Sequence, residues 1–198
     1  MCTKSILVLL FIAIPLILGI SKINENDIRE IKELYAKYNA VENLQGVSKV
    51  KIDGSYIKGQ FKYSIVGSDN KNRFNSYYQV YIKNRKMIRL DYFYNGPDDS
   101  TICEYYFYSS NELAFIFSKS VLFNGYNVAK EEIVEGVHMI EKRKYFNRNS
   151  VIIRSLTRAY NIKNNKPVDE KWFKSSDNCI VYKNVKELPF VKQLNVQF

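Results

Sequence analysis

Few side chains in this sequence have the types and spacing that chemistry requires. His138 is the only histidine among 198 residues. Acid–base or nucleophilic work would need a nucleophile or a carboxylate fixed beside it. It sits instead in an alternating run, "VHMIEKRKYF" (137–146), which predicts a strand and a structural role. No G-x-S-x-G turn and no H-E-x-x-H is present. One histidine and two cysteines beyond the N-terminal apolar run do not make a zinc site without carboxylates to complete it. Two carboxylate pairs remain, Asp98–Asp99 and Glu131–Glu132. Glycosidase chemistry needs two carboxyl groups facing each other across a cleft, whereas neighbours in a turn or strand point apart. Asp98–Asp99 alone offers too few oxygens for calcium. Gly54, Gly59 and Gly67 are spread among strand-like segments and form no phosphate loop. The inventory predicts no cofactor and no metal. It leans towards a non-enzyme, with a secreted hydrolase using scattered carboxylates as the alternative.

The other cluster is basic. "EKRKYFNRNSVIIRSLTR" (141–158) carries Lys142, Lys144, Arg154 and Arg158, with Tyr145 inside it and Tyr160 just beyond. Strand alternation puts Lys142 and Lys144 on one face of their strand, and Arg154 and Arg158 on one face of the next. In a suitable register the four cations would form one positive ribbon beside the two tyrosines. Cations interleaved with aromatic rings are the ingredients of single-stranded nucleic-acid binding. They serve equally for an acidic protein, an anionic polymer or a lipid headgroup. The competing reading pairs these cations with Glu141 and other acids on a wet face. The net charge of +10 fits either.

Location decides among partners. "MCTKSILVLLFIAIPLILGIS" (1–21) has a lysine start, an apolar run and small residues at its end. That is the pattern of a secretory signal peptide, with an uncleaved N-terminal anchor as the alternative. Cys2 precedes the apolar run, which argues against a lipoprotein cysteine. Residues 22–198 are then a single domain, periplasmic or secreted. Export argues against nucleic acid, and membrane contact would come only from an uncleaved leader. It also places Cys103 and Cys179 where disulfides persist. They are a disulfide candidate, the alternative being two separate buried thiols.

These groups need elements to position them. Ile28, Ile31, Leu34, Tyr35 and Tyr38 recur at helical spacing, with charged residues between, and predict an amphipathic helix over 26–40. Asn26 or Asp27 would cap it, with Glu30 close to a capping box. From about residue 48 the period changes to two. Strands are expected over 56–67, 76–83, 86–94, 101–108, 112–121, 137–146 and 150–160. A weaker pair is expected at 179–183 and 190–198. "KNRK", "SSNE" and "NRNS" each separate two apolar strand ends and read as hairpin turns. "NGYNVAKEEIVEG" (124–136) breaks the rhythm and reads as a loop, and 161–167 as an exposed connector. In "YYFYSSNELAFIF" (105–117) both faces are apolar, which predicts the centre of the sheet, covered on both sides. In "KMIRLDYFY" (86–94), Ile88, Leu90, Tyr92 and Tyr94 share one face, with Arg89 and Asp91 on the other.

The stretches "EYYFYSSNELAFIF" and "KRKYFNRNSVIIRSL", within about 75–158, resemble small secreted or periplasmic bacterial proteins with Tyr-rich β-meander sheets. The resemblance implies a sheet and no catalytic residue. The expected fold is α+β, an N-terminal amphipathic helix packed on a curled antiparallel β-meander. A closed lipocalin-like β-barrel, holding a small apolar ligand, is the alternative. The "LNVQF" terminus resembles the last strand of an outer-membrane barrel, but the consecutive charges 141–144 would force two of them into lipid. The expected function is an exported binding or interaction protein, of inhibitor, immunity or ligand-binding type, using a sheet face, edge or pocket.

Overall fold

The computed structural model describes residues 25–57, 60–66, 76–96, 99–127, 130–173, 179–194 and 196–197. The predicted signal peptide and Asp98 lie outside these residues. One helix, α1 (25–38), packs on an open antiparallel sheet. The strands are β1 (Val47–Ile57), β2 (Gln60–Val66), β3 (Ser76–Lys83), β4 (Lys86–Asn95), β5 (Asp99–Phe107), β6 (Leu113–Asn127), β7 (Glu132–Phe146) and β8 (Ile152–Asn161). Their spatial order is β2-β1-β3-β4-β5-β6-β7-β8. Seven strands thus run as a meander from β1 through β3 to β8, and β2 folds back on the outer side of β1. The two ends of the sheet do not pair, so neither the lipocalin-like barrel nor an outer-membrane barrel is formed.

The apolar stripe of α1 lies over β5, β6 and β7. Ile31 is 1% exposed and shares a cluster with Tyr106, Tyr108, Phe115, Phe117 and Tyr145. Tyr35 meets Tyr106, Phe115 and Phe117 edge-on, at centroid distances of 5.4, 5.5 and 6.2 Å. Burying Ile31 contributes about 1.5–3 kcal/mol, so Ile31→Asp would loosen the helix. Residues 25–27 are already helical, so neither Asn26 nor Asp27 acts as the cap. The helical run ends at residue 38, two before the predicted end.

The stretch 105–117 is the centre of the sheet, as its two-sided apolarity predicted. Tyr106, Tyr108 and Phe115 face α1, while Tyr105, Phe107, Leu113 and Ile116 face the opposite layer. The register shifts where Tyr106 pairs with Phe115 and Phe107 with Leu113. The extra residue, Ala114, therefore sits on the same side as Phe115 rather than alternating with it. A similar shift between Tyr81 and Ile82 leaves Ile88 over. Ile88 joins Val41 and Tyr81 rather than the Leu90 face on which alternation would place it.

The opposite face is covered by chain that the sequence pattern assigns to strands. Residues 179–194 are not strands. They form two 3₁₀ turns, Val185–Glu187 and Val191–Gln193, joined by irregular chain. The physical reason is a period of three: Val185, Leu188, Val191 and Leu194 are all buried, and side chains three apart eclipse in 3₁₀ geometry. With Cys179, Tyr182 and Phe190 they pack on Ile52, Tyr78, Val80, Leu90, Tyr105 and Ile116. Cys103 and Cys179 form the disulfide that fastens this layer to β5, with Cα atoms 5.8 Å apart.

The predicted loop 124–136 is mostly strand among the described residues, since β6 runs on to Asn127 and β7 starts at Glu132, just after a turn at 130–131. Its broken rhythm comes from a bulge between Phe123 and Gly125. Asn124 has φ 57° and its Oδ1 accepts from Gly136 N at 3.0 Å. Gly125 has a separate cause: a Cβ there would stand 2.5 Å from the Phe173 ring.

Candidate interaction surface

Antiparallel register places directly paired residues on one face of a sheet. On the α1 side one row crosses seven strands: Lys49, Tyr81, Arg89, Tyr106, Phe115, Tyr145, Arg154. The next row ends in Glu104, Phe117, Arg143, Leu156, and the following one in Ile102, Lys119, Glu141, Arg158. Beyond lies Val121, Met139, Tyr160, and then the pair Phe123 and Val137.

The predicted basic residues divide between the two faces. Arg154 and Arg158 lie on the α1 side with Tyr145 and Tyr160. Lys142 and Lys144 pair with Thr157 and Ser155 and lie on the opposite side. The single ribbon therefore does not form. Tyr145 is buried, its centroid 4.8 Å from that of Phe115, and belongs to the core. Arg158 stacks over Tyr160 at 4.5 Å and donates from Nη2 to Asn165 Oδ1 at 3.1 Å. Arg154 lies 5.9 Å from the Tyr145 ring. Arg143 Nη2 is 3.5 Å from Glu141 Oε2, and the Tyr160 hydroxyl donates to Glu141 Oε1 at 3.3 Å. Burial first, and then the Glu141 charge, raise the Tyr160 pKa. Glu141 thus neutralises part of this surface, as the wet-face reading expects. No carboxylate pairs with Arg154 or Arg158 among the described residues.

Below α1 this face carries large apolar groups in contact with solvent. Phe123 is 53% exposed, and Ile102, Val137 and Leu156 are 37–38% exposed. Lys119, over the Phe117 ring at 4.8 Å, and Arg143, at 5.1 Å from it, border the patch. A cleft of 190 Å³ between α1 and the sheet, lined by Ile31, Lys32, Tyr35, Phe115, Arg143 and Tyr145, continues it upwards. Ending the expected strand at 121 left Phe123 out of the sheet and hid its pairing with Val137. The signal lay in the continued alternation Val121–Phe123 and Val137–Met139.

Other candidates resolve as structure. His138 is buried on the opposite face, its ring 4.7 Å from Phe173 and its Nε2 3.3 Å from Asn161 Nδ2. Burial holds its pKa below the ordinary value. Glu131 is in a turn with φ 53°, and Glu132 opens β7 beside Lys130 at 3.8 Å. Asp99 opens β5, its carbonyl accepting from Gly96 N at 2.8 Å. Among the described residues no three His, Cys, Asp or Glu side chains are grouped to hold a metal ion. No helix among them is long and apolar enough to cross a membrane.

The Arg89 and Asp91 face of β4 holds the most buried charge cluster among the described residues. Arg89 is 8% exposed and Asp91 2%. Arg89 donates from Nε and Nη2 to the two Asp91 oxygens, at 2.6 and 2.8 Å. Its Nη1 donates to the Asn39 carbonyl at 2.8 Å, just past the end of α1. Nη2 also lies 3.3 Å from Glu104 Oε1, and Tyr106 donates to Glu104 Oε2 at 2.9 Å. Burial raises the Asp91 pKa to about 6 even against the pull of Arg89. This cluster anchors α1 and is closed to ligands.

Comparison with protein-family models, with curated proteins and with solved structures finds no match to the chain.

Proposed function

We propose that this is an exported, non-enzymatic binding protein whose working surface is the half of the α1-side sheet face that the helix leaves open. The observation carrying this reading is the exposure of Phe123, Val137, Ile102 and Leu156 on one face, bordered by Lys119, Arg143 and Arg158. Protein interfaces have this anatomy, an apolar centre enriched in aromatic residues, Met and Arg within a polar rim. The partner is a protein with an apolar contact patch flanked by carboxylates. The Cys103–Cys179 disulfide fits the oxidising compartment that the leader predicts.

Site-specific photo-crosslinking tests this. A photoreactive residue at Phe123 should give discrete adducts in envelope extracts, and one at exposed Lys163 should not. The adducts should diminish with added salt, which screens the rim charges. Equal adduct patterns from both positions would sink the reading.

A further inference from the structure

The outer edge of β8 carries a second possibility, which rests on the reading of this chain as a binding protein. The C-terminal end of β8 is already paired on its outer side. Asn161 N donates to Lys166 O at 2.9 Å, and Val168 N donates to Ala159 O at 3.0 Å. A bridge between Tyr160 and Pro167 lies between these bonds. In a strand, backbone groups of alternate residues point to the same side. Ala159 and Asn161 point outwards, so Thr157 and Ser155 do too. No described residue bonds to the backbone of either. The edge is therefore closed at one end by residues 166–168 and open over 154–158.

The side chains along the open part give it a chemical preference. Arg154, Leu156 and Arg158 alternate on the α1 side, and all three are exposed. On the other side lie Ser155 and Thr157, with Lys144 and Lys142 on the adjoining strand. A second copy of this chain pairing antiparallel along the same edge would bring Arg154 and Arg158 against their own kind, which is unfavourable. An acidic strand meets the opposite situation. We propose that the β8 edge accepts an extended acidic segment of a partner protein as a further antiparallel strand. Its side chains facing Arg158, Leu156 and Arg154 would be an acid, an apolar residue and an acid at alternate positions. Main-chain hydrogen bonds to Ser155 and Thr157 supply the attachment, and the alternate side chains supply the selectivity.

The probe is a fluorescent peptide, Ser-Glu-Thr-Val-Thr-Glu-Ser, titrated against the disulfide-bonded protein and followed by anisotropy. Its two threonines would pair with Thr157 and Ser155. N-methylating both threonines removes their N–H groups and should weaken binding by about tenfold. Arg154→Glu with Arg158→Glu should weaken it by a similar factor, about tenfold. Hydrogen exchange at the Ser155 and Thr157 amides should slow in the complex. Because the N-methyl comparison leaves the protein unaltered, it does not depend on any variant folding. Equal affinity for the methylated peptide would overturn strand pairing, even if charge reversal still abolished binding. Absence of binding, or protection at other amides, would overturn it too. Adducts at position 123 alongside an inert edge would leave the proposed function standing and remove only this inference.

Discussion

Arg89 reaches from β4 to the end of α1, its Nη1 2.8 Å from the Asn39 carbonyl, while the same guanidinium grips Asp91 at 2.6 and 2.8 Å. A helix end leaves carbonyls without partners, and a cation there also favours the helix dipole. One buried side chain thus joins sheet and helix. Arg89→Met would strand Asp91 and Glu104 without their cation, and should cost about 3–5 kcal/mol. Urea unfolding would measure that loss, and amide exchange in α1 should rise in the variant. An exposed salt bridge would give about 0–1 kcal/mol instead, and that outcome would contradict the burial seen here.

Asp91 makes stability depend on pH. Its folded pKa is about 6, raised chiefly by burial from the ordinary carboxyl value of 3.8. The folded state therefore holds this proton where the unfolded chain has lost it. The stabilising contribution is full below the unfolded value and is lost as pH rises through about 6. Denaturation from pH 4 to pH 7 should show this downward term in the wild type, and Asp91→Asn should remove it. Carboxyl carbon shifts should titrate at Asp91 with a midpoint near 6. A midpoint at or below the ordinary carboxyl value would refute the assignment.

The disulfide closes a long segment, since Cys103 and Cys179 stand 76 positions apart in the chain. Cys103→Ser with Cys179→Ser should lower stability by about 2–5 kcal/mol. Because the bridge fastens the layer 179–194 over the sheet, limited proteolysis should first cut within that layer. Cleavage first at the α1 end would show that the bridge acts elsewhere.

How much of this was legible in the sequence follows from the range of each interaction. Periodicity is local, so α1 and strands such as 76–83 and 86–94 were readable from spacing alone, the second running one residue further in the structure. The two-sided apolarity of 105–117 was enough to place that hairpin in the core. Bulges were not readable, because a single extra residue, at Ala114, at Ile88 or in the Glu135–Gly136 step opposite Asn124, leaves composition unchanged while shifting which side chain faces which layer. The C-terminal layer was misread because an apolar recurrence of three, Val185 to Leu194, looks like weak alternation in a short window. For Arg89 and Asp91, alternation assigned a shared face, but only the docking of α1 determines that this face is buried.

The candidate surface divides in the same way. The sequence alone established that Arg154 and Arg158 share a face, that Lys142 and Lys144 share one, and that Cys103 and Cys179 were available to pair. Tertiary structure decided the rest. The β7–β8 register set the two cation pairs on opposite faces, and the packing of α1 took Tyr145 into the core. The ends of the sheet stayed apart, which left β8 an open edge rather than the seam of a barrel. Those outcomes depend on contacts between residues distant in the chain, and no local pattern encodes the register or the order in which strands meet.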